Sequence, residues 1–259
     1  MAKEFAGRWA LVTGASAGIG AALARELARE GANLVLTARR ADRLEALARE
    51  LRAQGTEVRV VVADLNDRGG PQAILDATVG MVVDVLVNNA GLGQYGAFVS
   101  SELEQELSQV RVNCEAMVHL TRLFAPEMAK RRRGWILVVA STASFQPVPY
   151  LSTYAATKAF DRFFAEALAA EMAASGVKVT ALCPGPTESE FFEVAGAAKF
   201  RGRGVQDVNE VARRAVRALR RGQRTIIPNA SGRLSAAAVR FLPTRWITAL
   251  VERAARPTQ

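Results

Sequence analysis

Tyr154 and Lys158 stand four residues apart in a stretch that reads as helix, so their side chains share one helical face. A phenol has a pKa of about 10 and is a weak base at neutral pH, but a neighbouring ammonium favours the phenolate. The pair can therefore exchange a proton with a substrate oxygen. Ser141, at the end of the apolar run 135–140, is placed to hydrogen-bond the same oxygen as charge develops on it. Two neighbours are weaker candidates. Ser144 can replace or assist Ser141 if the intervening turn is unusual, and Tyr150 is followed four residues later by Tyr154, so it lacks the activating cation.

Near the start of the chain, Thr13-Gly14-Ala15-Ser16-Ala17-Gly18-Ile19-Gly20 lies between the apolar run 9–12 and a helical pattern. Strand, tight turn and helix in that order let a backbone approach a pyrophosphate and aim first-turn N–H groups at it. The spacing G-x-x-x-G-x-G departs from the general G-x-G-x-x-G fingerprint. Beyond the turn, Ile19, Leu23 and Leu27 share a face with Ala24 and Ala28, and Arg25, Glu26, Arg29 and Glu30 lie opposite, up to Gly31.

The elements that must position these groups alternate. Strands are predicted at 33–38, 58–63, 83–87, 135–140, 177–183 and 225–227, in addition to 9–12. Helices are predicted at 42–54, capped by Asp42, at 102–132 and at 152–175. The basic run Arg131-Arg132-Arg133 falls where a helix C-terminus favours cations. Alternating strands and helices give an α/β fold: a single-domain Rossmann fold with a doubly wound, mostly parallel seven-stranded sheet and helices on both faces. With 259 residues and 50% hydrophobic content, residues 1–259 can form one core.

The net charge of +9 is uneven: residues 199–259 hold 14 Lys+Arg against 3 Asp+Glu, which leaves the rest slightly acidic. A basic end on a near-neutral body implies a local anionic partner or a solvated surface rather than a nucleic-acid-binding domain. No metal site is expected, because Cys114, Cys183 and the single His119 lack ligand spacing. No run approaches the roughly 18 apolar residues of a membrane span and no leader pattern is visible, so a cytoplasmic protein is expected.

Four motifs together resemble the short-chain dehydrogenase/reductase family over residues 7–190. They are the Gly14–Gly18–Gly20 turn, Asn88-Asn89-Ala90-Gly91, Ser141 with Tyr154-Ala155-Ala156-Thr157-Lys158, and Pro184-Gly185. The resemblance implies an oxidoreductase that interconverts a carbonyl and an alcohol by hydride transfer. It implies that Asn113 holds a water behind Lys158, and that Gly14, Ser16, Gly18, Ile19 and Gly20 cradle the cofactor. It also implies that Asp64 and Leu65 meet the adenine, Asn89, Ala90 and Gly91 the ribose, and Pro184, Gly185 and Thr187 the nicotinamide. Lys158 would bind the nicotinamide ribose and tune Tyr154.

At the end of the second strand stand Arg39 and Arg40, where an acidic residue would select NAD. NADP (NADPH) is therefore expected over NAD, although Ala17 stands where many NADP-binding members carry a second basic residue. The resemblance places a substrate lid at about 187–205, with Phe191, Phe192 and Phe200 implying an apolar carbonyl or alcohol substrate. It implies a homodimer or homotetramer through the helices at 102–132 and 152–175. A non-catalytic NADP(H)-binding redox sensor and a 3-oxoacyl-thioester reductase on an anionic surface are the alternatives. A basic C-terminal extension, about 230–259, carries Trp246, Ile247, Leu250, Val251 and Ala254 on one predicted helical face after Pro243. Packing on its own domain or on another subunit ranks above a membrane surface for that face.

Overall fold

The computed structural model describes residues 3–197 and 204–256. Seven strands form one sheet: β1 Trp9–Thr13, β2 Asn33–Ala38, β3 Val58–Val62, β4 Val83–Asn88, β5 Gly134–Val139, β6 Val177–Leu182 and β7 Thr225–Ile226. Their order is β3-β2-β1-β4-β5-β6-β7 and every neighbouring pair is parallel. The sequence expectation of a mostly parallel sheet is thus met in full. All six residues of β4 and of β5 are buried, as strands covered by helices on both faces must be, whereas edge strand β3 alternates with solvent.

Helices α1 Gly18–Arg29 and α2 Ala41–Arg52 follow β1 and β2, and α3 Gly70–Ala77 follows β3. Then come α4 Leu103–Val110, α5 Ala116–Lys130, α6 Ser152–Glu171, α7 Phe191–Val194, α8 Val208–Arg221, α9 Ala230–Ala238 and α10 Thr244–Ala255. Alternate strand residues feed two cores. Ala10, Val12, Leu34, Leu36, Val85 and Val87 meet Leu23, Leu27, Leu44, Leu51 and Leu219 of α1, α2 and α8. Leu11, Val35, Leu86, Ile136 and Val138 meet Ile74, Leu120, Phe124 and Ala165 of α3, α5 and α6. Each fully buried Val, Leu, Ile or Phe among them contributes about 1.5–3 kcal/mol.

Three local readings are corrected. Asp42 does not cap α2: Arg40 occupies the N-cap without a side-chain bond, and Asp42 lies in the first turn, where its charge favours the helix dipole instead. The stretch 102–132 is not a uniform helix, because a π turn over Arg111–Glu115 separates α4 from α5. The stretch 152–175 ends as helix at Glu171, and a 3-10 turn leads to Gly176, which caps it at φ +70°.

Part of the C-terminal basicity lies on the solvated face of α8. In α8, Val211, Ala215 and Leu219 are buried while Arg213, Arg214 and Arg217 point outward, with Arg213 and Arg214 bonded to Glu210 at 2.6 Å. Helix α10 only half satisfies its sequence reading. Ile247 and Ala255 are buried and Val251 is half-buried, yet Trp246 and Leu250 are 60% and 72% exposed and Ala254 is exposed. No helix among the described residues is long and apolar enough to cross a membrane.

Candidate active site

At the carboxyl end of the sheet, between β1 and β4, the chain direction of the fold reverses and a crevice opens. Thr13 ties the two strand ends together: its hydroxyl donates to Val87 O at 3.1 Å and accepts from the N–H groups of Asn89 at 2.9 Å and Ala90 at 3.0 Å. Asn89 Nδ2 donates to Thr13 O at 2.9 Å. The turn that follows admits only glycine at two points. Gly14 has φ +64° and its Cβ would come within 2.9 Å of Ala90 Cα, and a Cβ on Gly20 would stand 2.3 Å from Gly14 O. The N-terminus of α1 has no side-chain cap, and Ala17, Gly18 and Ile19 line the cavity. Unpaired first-turn N–H groups therefore face it, which suits an anion.

The cavity encloses about 760 Å³, within the usual range for small-molecule sites. It brings together the residues that sequence reasoning selected from five segments: Gly14 to Gly20, Arg39 and Arg40, Asp64 and Leu65, Asn89 to Gly91, and Pro184 to Thr187, with Ser141, Tyr154 and Lys158. Both rim arginines face carboxylates. Arg40 bonds Glu190 at 2.8 Å and reaches Ser16 Oγ at 3.2 Å, while Arg39 lies 4.0 Å from Asp64. The bond from Arg40 holds the Glu190 carboxyl below its ordinary value.

At the end of the cavity beside β5, Ser141 sits just past that strand and its hydroxyl accepts from the Ala143 N–H at 3.1 Å, opening a short 3-10 turn. Lys158 is buried and donates to Val139 O at 2.8 Å and to Asp161 Oδ2 at 2.9 Å. Burial raises the Tyr154 phenol above its ordinary value; the Lys158 charge and a hydrogen bond with Ser141 pull it back, and Asp161 adds to the rise. For Lys158, burial alone would lower the ammonium, but Asp161 first and then Tyr154 hold it above its usual value.

Asn113 lies in the π turn and is buried behind the cavity wall. Its Nδ2 donates to Leu92 O at 2.9 Å and Thr157 Oγ1 at 2.8 Å, and its Oδ1 accepts from Leu92 N at 2.8 Å. A Cβ on Gly91 would lie 3.3 Å from Lys158 Nζ and 3.4 Å from Asn113 Oδ1, so these two groups converge on that glycine. A π turn widens the helix by one residue, and here it does so at Asn113.

Phe191 of α7 packs against Tyr154 with ring centroids 5.1 Å apart, and Phe192 is buried beside it; Phe200 lies outside the described residues. Thr187 is buried and its hydroxyl donates to Gly185 O at 2.9 Å. Ser144 is buried and faces Cys183 Sγ at 3.9 Å, away from the role of Ser141, and burial pushes the Cys183 thiol up to about 12. Tyr150 takes a left-handed backbone, φ +64°, and donates to Glu252 Oε1 at 3.0 Å. No group of three or more metal-ligating side chains occurs among the described residues.

Sequence reading missed Asp161 and Glu190, and it placed Val251 on an apolar helical face but not in the cavity. Asp161 had a signal, since i+3 from Lys158 is a neighbouring helical position. Glu190 pairs with Arg40 across 150 residues and so had no local signal, while Val251 enters the cavity wall from α10, a placement its helical spacing does not give.

A glycine-lined anion cradle opens onto a cavity end that holds Ser141, Tyr154 and Lys158. Residues 8–199 match the short chain dehydrogenase family, and the chain belongs to it. It is 38% identical over 179 residues to a very-long-chain 3-oxoacyl-CoA reductase of Podospora anserina, covering 67% of this chain and 53% of that protein. The chain thus spans about half the length of that relative. Among solved structures, a short-chain dehydrogenase from Sphingobium yanoikuyae in complex with NADPH aligns with TM-score 0.83 and 34% identity, over 89% of this chain and 92% of the other. A short-chain dehydrogenase/reductase from Burkholderia phymatum in complex with NAD aligns with TM-score 0.82 and 26% identity, over 92% and 93%.

Proposed function

We propose that this chain is an NADP(H)-dependent reductase of an apolar ketone or aldehyde, able to oxidise the matching alcohol. The observation that carries this reading is the convergence of Ser141, Tyr154 and Lys158 in the same cavity as the glycine cradle, with Arg39 and Arg40 at its rim. The cradle fits a dinucleotide because side chains are excluded at Gly14 and Gly20 and the α1 N-terminus is uncapped. A bound nicotinamide supplies or accepts the hydride.

The chain's own residues do the rest. Tyr154 gives its proton to the substrate oxygen, and Ser141 hydrogen-bonds that oxygen as its charge grows. Lys158 places a cation beside the phenol and the cofactor ribose. Asn113, fixed by its bonds to Leu92 and Thr157, would hold a water behind Lys158 and so complete a proton relay. Asp64 and Leu65 flank the adenine, Pro184, Gly185 and Thr187 the nicotinamide, and Arg39 and Arg40 pair with the 2′-phosphate. Phe191 and Phe192, with Val148, Leu151 and Val251, give the substrate end an apolar lining that supports an apolar carbonyl. The lid that the family resemblance implies over 187–205 would bring Phe191 and Phe192 to the substrate; its residues 198–203 lie outside the described ones.

Likeness to a 3-oxoacyl-CoA reductase makes 3-oxoacyl thioesters one class to test beside simple ketones and aldehydes. NADPH oxidation followed by absorbance across these three classes is the test. Turnover of one class supports the reading, and NADPH binding without turnover of any class, or no binding, overturns it. A homodimer or homotetramer is supported by the outward apolar side chains Leu103, Leu107 and Val110 of α4 and Phe160 and Phe163 of α6, which a subunit contact would bury.

A further inference from the structure

Lys158 keeps a second buried partner that the mechanism above does not use. Asp161 lies one helical turn beyond it, its Oδ2 is 2.9 Å from the ammonium, and the two side chains are 2% and 6% exposed. Asp161 Oδ1 is buried without a hydrogen-bond partner. A charge pair this deep is expensive: desolvation offsets its attraction, and apolar replacements of similar volume are often as stable. Nearby, the Cys114 thiol is pushed up to about 12 by burial and then by Asp161, so it stays neutral. Arg162 on the same helix turns away, stacking over Phe145 at 4.5 Å and pairing with Glu166 at 3.3 Å. From β5, only the Val139 carbonyl reaches the ammonium, at 2.8 Å. Lys158 and Asp161 therefore form one coupled unit next to Tyr154.

We infer that Asp161 is a positioning residue: its carboxylate holds the Lys158 ammonium against the Val139 carbonyl and partly cancels that ammonium's field, so that the Tyr154 phenol is kept as a proton donor. An isolated ammonium would act on Tyr154 as a full charge and favour the phenolate, the base needed for alcohol oxidation. A paired ammonium acts as a dipole, whose field falls off faster. The pairing thus biases the site toward reduction, where a protonated Tyr154 is required. This direction rests on the carbonyl-reductase reading, whereas the effect of Asp161 on Tyr154 does not.

The chain has three tyrosines, so the ultraviolet titration of wild type minus that of Tyr154→Phe isolates the Tyr154 phenol. Asp161→Asn should move its midpoint down by about one pH unit, a tenfold change in the phenolate ratio. Asp161→Glu, which keeps the charge, should titrate like wild type. If Asp161→Asn does not fold, Asp161→Ser leaves Lys158 a hydroxyl to donate to and should move the midpoint the same way. With an accepted alcohol, the alkaline rise of oxidative kcat/KM should move down by the same interval. A midpoint that stays in place or rises in a folded neutral variant overturns the inference. Because the titration needs no substrate, an absence of turnover on every carbonyl class would reject the function above without deciding this result.

Discussion

The two ends of the cavity are built differently. The reacting end hangs on the sheet: Ala140 N bonds Leu182 O at 2.8 Å, Thr142 N bonds Pro184 O at 2.9 Å, and Lys158 bonds Val139 O at 2.8 Å. The substrate end is walled by α7, α9 and α10, which lie outside the sheet. There fewer backbone bonds serve, such as Tyr95 N to Ala195 O at 2.9 Å, and side-chain bonds join them, Tyr95 to Ala255 O at 2.7 Å and Tyr150 to Glu252 at 3.0 Å, under helices that expose Leu234, Trp246 and Leu250. Proton transfer tolerates errors of only about 0.5 Å, so backbone ladders and buried polar groups fix it. An apolar pocket needs volume more than angle, and packed short helices suffice for it.

The sharpest way to break this contrast is Tyr154→Phe. Removing the transferable proton should cut turnover by about 10²–10⁴-fold while NADPH affinity stays near wild type, since the ring and its packing on Phe191 remain. Turnover near wild type, measured with any accepted substrate, would remove Tyr154 from the chemistry. At the rim, Arg40→Ala should weaken NADPH on the order of tenfold and NADH much less, because a charge-assisted bond to phosphate is worth about 1.5–3 kcal/mol and Arg40 is partly solvated. Equal losses for both cofactors in binding titrations would show that this arginine does not read the phosphate.

Deleting residues 244–259 probes the packed end. It removes the partners of Tyr95 and Tyr150 and uncovers the contacts of Ile247, so Tm should fall by about 10 °C and aggregation should rise. An unchanged Tm with retained turnover would mean that α10 is not part of the wall. The smallest effect has the opposite sign. Glu190→Gln frees Arg40 from its 2.8 Å partner, so the KM for NADPH should fall about two- to fivefold, the worth of an exposed ion pair, and the gain should shrink at high salt. A KM that rises would show that Glu190 helps to hold the cofactor.

The sequence alone determined what depends on short-range order. The glycine turn after β1 was legible because a strand, a sharp turn and an amphipathic helix are each coded within a few residues, and Tyr154 with Lys158 because a helix brings i and i+4 together whatever surrounds it. The alternation of apolar runs with helical periods likewise carried the parallel sheet. Helix boundaries were less legible. Asp42 has the chemistry of a cap, but the path of β2 into the rim starts α2 earlier, at Ala41. The π turn at Asn113 has no periodicity of its own and is seen only where Asn113 meets Leu92 and Thr157. Tertiary structure also decided which way α10 faces: one apolar stripe was divided between Ile247, turned inward, and Trp246, turned outward. It alone brought Glu190 to Arg40 and buried Lys158 together with Asp161. Those outcomes depend on contacts between distant segments and on burial, which sets the strength of a charge, and neither quantity is written in the spacing of residues along the chain.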